Sequence, residues 1–182
     1  MKTVTKRPET PGYGFTRNQH RYINPSHDPG AETDGLKCPG GEGQHMNQRV
    51  HASGHENVSA THGSTFEVTS DDWLTPAGDC ILAVEADAVP AAFDDDFVAA
   101  CRSRDATVTA TLRAGGHETV VEGCGHPDLT FDDDRSMVAR TSTYVDDRTV
   151  MVDADAAAAD LDRDLVGALA DGADLEVVLR VA

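Results

Sequence analysis

Ser53-Gly54-His55-Glu56-Asn57-Val58-Ser59 returns later in the chain as Cys124-Gly125-His126-Pro127-Asp128-Leu129-Thr130, and this recurrence decides the fold. The match continues in order along the sequence. Ala86-Asp87-Ala88 has its counterpart in Ala154-Asp155-Ala156, Phe93 in Leu161, Asp94 in Asp162, Phe97 in Leu165, Cys101 in Leu169 and Leu112-Arg113 in Leu179-Arg180. An ordered series of this kind predicts a tandem duplication, with copy one over about residues 49–115 and copy two over about 117–182.

Each copy reads as β-β-β-α-β. Strands are expected at 50–53, 64–69, 80–85 and 107–112, and again at 119–124, 136–141, 148–152 and 175–181, from β-branched runs and alternating apolar residues. A helix is placed by apolar residues four apart, Phe93, Phe97 and Cys101 in one copy and Leu161, Leu165 and Leu169 in the other. Aspartates stand in its first turn, where they suit free amides and the positive end of the dipole. Ala114-Gly115-Gly116-His117 reads as a tight hairpin joining the copies. A unit of this size buries too little surface to stand alone, so the two are expected to share one core. The fold class predicted is mostly β (α+β), a pseudo-two-fold closed β-barrel with two short helices. The alternative is an open antiparallel sheet with both helices on one face.

Charge divides the chain at Met46. Of its 182 residues, the first 45 carry six Lys or Arg against five Asp or Glu, whereas residues 46–182 carry nine Arg, no Lys and 27 acids. Aspartate supplies 21 of those 27. Such a surplus repels itself in dilute buffer, while molar salt shortens the Debye length to about 3 Å. A halophilic, acidic domain is therefore expected, in which net charge loses its power to select partners. No apolar run approaches the length of a membrane span and no secretory signal opens the sequence, which predicts a cytoplasmic protein with no membrane association. The four cysteines are widely spaced without a CxxC pair and read first as small buried hydrophobes.

Residues 1–45 lack apolar periodicity and are expected to be an irregular or disordered extension, or the product of an over-called start whose true first residue is Met46. Within them, the mixture of aromatics and arginines from Tyr13 to Tyr22 would suit RNA.

The run Gly54-His55-Glu56-Asn57-Val58-Ser59-Ala60-Thr61-His62, the element Leu74-Thr75-Pro76-Ala77-Gly78-Asp79-Cys80-Ile81 and Ala86-Asp87 before the helix resemble the archaeal family known as domain of unknown function 371. The resemblance covers about residues 49–182 and, with the charge profile, implies a haloarchaeal member. It implies no activity.

Chemistry has few candidates. The paired imidazoles His55 and His126 would bind a ligand or move protons if both faced one cavity; otherwise glycine supplies a left-handed or bulged backbone and histidine caps the next turn. His55, His62, Asp79 and Cys80 form a second group confined to copy one, with a nucleophile and bases for catalysis, or with His55, His62 and Cys80 as ligands to zinc. Against that, Cys80 opens a buried strand. Thr75 beside Gly78 would hold an anion or simply make a turn, and the strand-end arginines Arg113 and Arg180 would hold an anion or pair with acids. The acid runs at 94–96 and 132–134 read as helix caps and solvated surface. Together these predict a cytosolic binding module, monomeric or homodimeric, for RNA, a protein complex or a small anionic ligand; the alternative is a metal- or thiol-assisted enzyme using His55, His62, Asp79 and Cys80.

Overall fold

The structure, a computed structural model, describes residues 46–182. The stretch from Tyr13 to Tyr22 and Cys38 lie outside the described residues. Among the described residues, eight strands and two helices follow one another as β1 (Met46–Ser53), β2 (Thr65–Thr69), β3 (Ile81–Ala83), α1 (Asp95–Cys101), β4 (Thr107–Ala114), β5 (His117–Cys124), β6 (Ser136–Arg140), β7 (Thr149–Met151), α2 (Arg163–Ala170) and β8 (Asp174–Val181). A single 3-10 turn precedes each helix, Pro90–Ala92 and Ala158–Asp160. The same element order thus runs twice, once in each half.

Local chemistry explains the elements. Asp94 caps α1, its carboxylate accepting from the amides of Asp96 (2.9 Å) and Phe97 (3.4 Å), and Asp162 caps α2 through Asp164 (2.8 Å). Gly115 and Gly116, at φ +58° and +87°, make the two-residue turn between β4 and β5 that non-glycine residues disfavour. In β4, Val108, Ala110, Leu112 and Ala114 are buried while the residues between them are not, and β8 repeats the pattern with Leu175, Val177, Leu179 and Val181.

The strands do not close into a barrel. They form two four-stranded sheets, an antiparallel one ordered β1-β8-β4-β5 and a mixed one ordered β3-β2-β6-β7. Among the described residues, one bridge pair spans each margin between the sheets, Ser53 with Val84 and Cys124 with Val152. The reason lies just beyond. Glu85 and Asp153 both take left-handed backbone, φ +54° and +48°, and turn the chain away from the strand direction. Asp87 and Asp155 then seal the outer strands: each carboxylate accepts the amide of His51 or Glu122 (2.8 and 2.9 Å), and each amide returns a bond to the same residue's carbonyl (2.9 and 2.8 Å). The Ala-Asp motif therefore occupies an edge that would otherwise pair with another strand.

The open antiparallel alternative is also corrected, because β2–β3 and β6–β7 are parallel. Parallel pairing requires the chain to cross back. Here the crossovers are the irregular segments 70–80 and 141–148, and they carry the site described below. Both helices pack against the antiparallel sheet, α1 on β1 and β8, α2 on β4 and β5.

The halves exchange helices at their Gly-His loops. Gly54 donates its amide to Ala173 beyond α2, and Gly125 and His126 donate to Ala106 and Cys101 at and beyond the end of α1 (2.9–3.0 Å). Arg163 of α2 grips the carbonyls of Ser59 and Ala60, while Arg102 after α1 grips those of Leu129 and Thr130. Neither Gly54 nor Gly125 has a positive φ, which corrects the left-handed expectation. A Cβ on Gly54 would lie 2.7 Å from the Ala173 oxygen and closer still to that of Leu169; one on Gly125 would overlap the oxygens of Cys101 and Ser103. Glycine is needed because a helix end approaches the bare backbone.

Candidate functional site

The imidazoles do not meet in one cavity. His55 Nδ1 accepts the amide of Asn57 (3.1 Å) and His126 Nδ1 that of Asp128 (3.2 Å), so each caps its own turn. His62 Nδ1 lies 2.9 Å from the Thr65 hydroxyl, and its amide reaches the Asp79 carbonyl at 3.2 Å. His62 and Asp79 are thus brought together through backbone, while His55 is engaged elsewhere. Among the described residues, no three of His, Cys, Asp and Glu are grouped so as to hold a metal ion.

Cys80 faces Glu67. Its thiol donates to Glu67 Oε2 at 3.6 Å, and burial, reinforced by the Glu67 carboxylate, pushes its pKa up to about 11. A thiol so held is protonated near neutrality and is a poor nucleophile. Arg148, which matches Cys80 in the other half, approaches the same oxygen at 3.6 Å. Glu67 stands where β2 pairs with β6, opposite Val138, and so accepts from both halves. Cys101 is buried in the core, its thiol pushed up to about 12 by burial.

Thr75 accepts the amide of Gly78 at 2.9 Å through its carbonyl and is exposed. Arg113 sits on the antiparallel sheet between Glu118 (2.6 Å) and Glu176 (3.1 Å), and Arg180 donates to Asn47 Oδ1 (3.1 Å). These three are not gathered with His126.

What the fold does gather lies between the second Gly-His loop and the second crossover. His126, Asp128 and Asp132 on one wall, and Tyr144, Asp146 and Asp147 on the other, bound a cleft of about 530 Å³. At one end the walls are hinged by the Asp133 amide bonding to the Asp147 carbonyl (3.2 Å). Tyr144 is 61% exposed, with the Arg140 guanidinium 5.0 Å from its ring centroid. Asp146 is taken: Arg140 binds it at 2.5 Å, the Thr149 hydroxyl at 2.8 Å and Arg148 at 3.3 Å. Burial alone would raise its pKa, but these donors outweigh it and hold the carboxyl below the usual range. A depressed carboxyl contributes stability above its unfolded value, about pH 4, and loses it as pH falls through the folded value. Asp146→Asn is therefore expected to lower stability at neutral pH by about 1–3 kcal/mol and to flatten the acid limb of a stability–pH curve measured by denaturant unfolding.

Tyr144 was not singled out by the sequence, although a signal existed. Trp73 precedes it by the same 71 positions that separate the Gly-His pairs, and is 58% exposed.

A two-sheet β domain with acid-lined crossover loops is the class this geometry defines. The family model described as domain of unknown function (DUF371) matches residues 50–182, and the chain belongs to that family. An uncharacterised protein of Methanocaldococcus jannaschii is 37% identical over 126 residues, which are 69% of this chain and 93% of that protein. No helix among the described residues is long and apolar enough to cross a membrane.

Proposed function

We propose that the domain is a binding module for a protein partner, which inserts a basic side chain into the cleft between residues 126–132 and 143–147. The acid-lined cleft beside an exposed tyrosine carries this reading. Among the described residues no guanidinium pairs with Asp128, Asp132 or Asp147; Asp128 lies 3.7 Å from His126 Nδ1, and these carboxylates offer acceptors to a cation, with the Tyr144 ring beside them for its aliphatic stem. The same carboxylates disfavour RNA phosphates and small anions at contact range, where salt does not screen. Tyrosine is also a residue type that anchors interfaces. The thiol-assisted alternative has less support, since Cys80 is held protonated by burial and Glu67.

The probe is a fluorescein-labelled tetra-arginine peptide, with an oligouridylate of matching label and a tetra-glutamate peptide as comparisons, read by anisotropy in molar KCl. The arginine peptide should bind, and Tyr144→Ala or Asp132→Asn should each weaken it about tenfold or more, equivalent to ~1.4 kcal/mol. Equal or stronger binding of the RNA, or indifference to both substitutions, overturns the reading. The acid surplus also leads us to expect a melting temperature that rises from dilute buffer to molar KCl, measured by circular dichroism.

A further inference from the structure

We infer that Asn57 latches the first half's counterpart of the cleft shut, and that Asp128 at the matching position leaves the second half open. This rests on the proposed function and names the residue pair that decides which half binds.

The two loops are built alike. Val58 and Leu129 donate their amides to the carbonyls of His55 and His126 (2.9 and 3.0 Å). His55 and His126 accept the amides of Asn57 and Asp128. His62 bonds to the Asp79 carbonyl as Asp133 bonds to that of Asp147, both at 3.2 Å, so the hinge is the same in each half. At the second position after each histidine the correspondence breaks. Asn57 Nδ2 donates to the Leu74 carbonyl at 2.8 Å, tying the Gly-His loop to the crossover segment that follows Trp73. Val145, which follows Tyr144, matches Leu74 and lines the open cleft with Asp128. An ionised aspartate has acceptors only. It cannot bond a carbonyl oxygen and repels one, so the walls stay apart; asparagine, of the same size, supplies the missing donor.

The difference is reversible by single substitutions in the full chain. Asp128→Asn and Asp128→Ala each remove one carboxylate, but only asparagine restores the donor. Tetra-arginine binding in molar KCl should therefore fall at least about tenfold further in Asp128→Asn than in Asp128→Ala. Asn57→Asp should raise the calorimetric stoichiometry from one peptide per chain to two. Trp73 is the sole tryptophan, so its fluorescence anisotropy decay reports the first-half loop directly and should quicken in both Asn57→Asp and Asn57→Ala. Equal affinities for the two Asp128 variants, with unchanged stoichiometry and an unchanged Trp73 decay, overturn the inference. Should the wild type fail to bind the peptide, the proposed function falls, and the Trp73 decay still decides the latch.

Discussion

Alanine at Gly54 or at Gly125 is expected to abolish folding or to remove more than about 4 kcal/mol of stability, an exceptional loss for adding one methyl group. At each position the new Cβ would meet backbone carbonyl oxygens at the end of the other half's helix, at 2.7 Å for Ala173 and closer for Leu169 in the first case. Backbone atoms at a helix end cannot rotate aside as a flexible side chain does. Separation would break the amide bonds from Gly54 to Ala173 and from Gly125 to Ala106. Gly167 is the internal control. It lies within α2 with nothing within 4 Å of a built Cβ, so Gly167→Ala should stabilise by about 0.5–1 kcal/mol through helix propensity alone. Chemical denaturation of the three variants reads both signs. Losses below about 1 kcal/mol at Gly54 and Gly125 would contradict the close helix approach.

The second large effect is expected at Phe97. Its ring is buried in α1, packed edge-on to Phe93 (6.0 Å between centroids) and to Phe131 (6.2 Å), and Phe131 belongs to the opposite half's loop. Phe97→Ala should cost about 3–5 kcal/mol in denaturant unfolding, from lost burial and the cavity left behind. It should also loosen the loop that holds His126 and Asp128, because Phe131 itself sits at φ +58°, a strained conformation maintained only by what surrounds it. Faster amide exchange at residues 126–131 than around α2 would show that coupling; uniform acceleration would place Phe97 in the core alone.

Periodicity made the elements legible. The alternation in 107–112 and the Phe93-Phe97-Cys101 spacing placed β4 and α1 within two residues of their ends, because each depends on local burial. Sheet closure was not legible, since a closed barrel and two sheets bury the same alternating positions. The difference rests on left-handed backbone at Glu85 and Asp153, which neither residue type announces. Parallel pairing was hidden for a similar reason: crossovers without helices look like ordinary loops. At the site, the repeat pairs His55 with His126, and each imidazole accepts the amide two residues on in its own loop. The acid run 132–134 reads as cap and solvated surface; Asp132 and Asp134 are exposed, with Asp132 also lining the cleft, and Asp133 caps its own turn through the amides of Arg135 and Ser136. The difference between Asn57 and Asp128 at matching positions is invisible to periodicity, because both residues suit the same turn.

The proposed binding site is the second half's cleft. Titrating isotope-labelled protein with tetra-arginine in molar KCl, and following amide chemical shifts, tests it most directly. The shifts should concentrate in residues 126–132 and 143–147 and be absent from 55–61 and 72–75. Shifts centred on the outer face of the antiparallel sheet around Glu118 and Glu176, or spread evenly over the acidic surface, would contradict it.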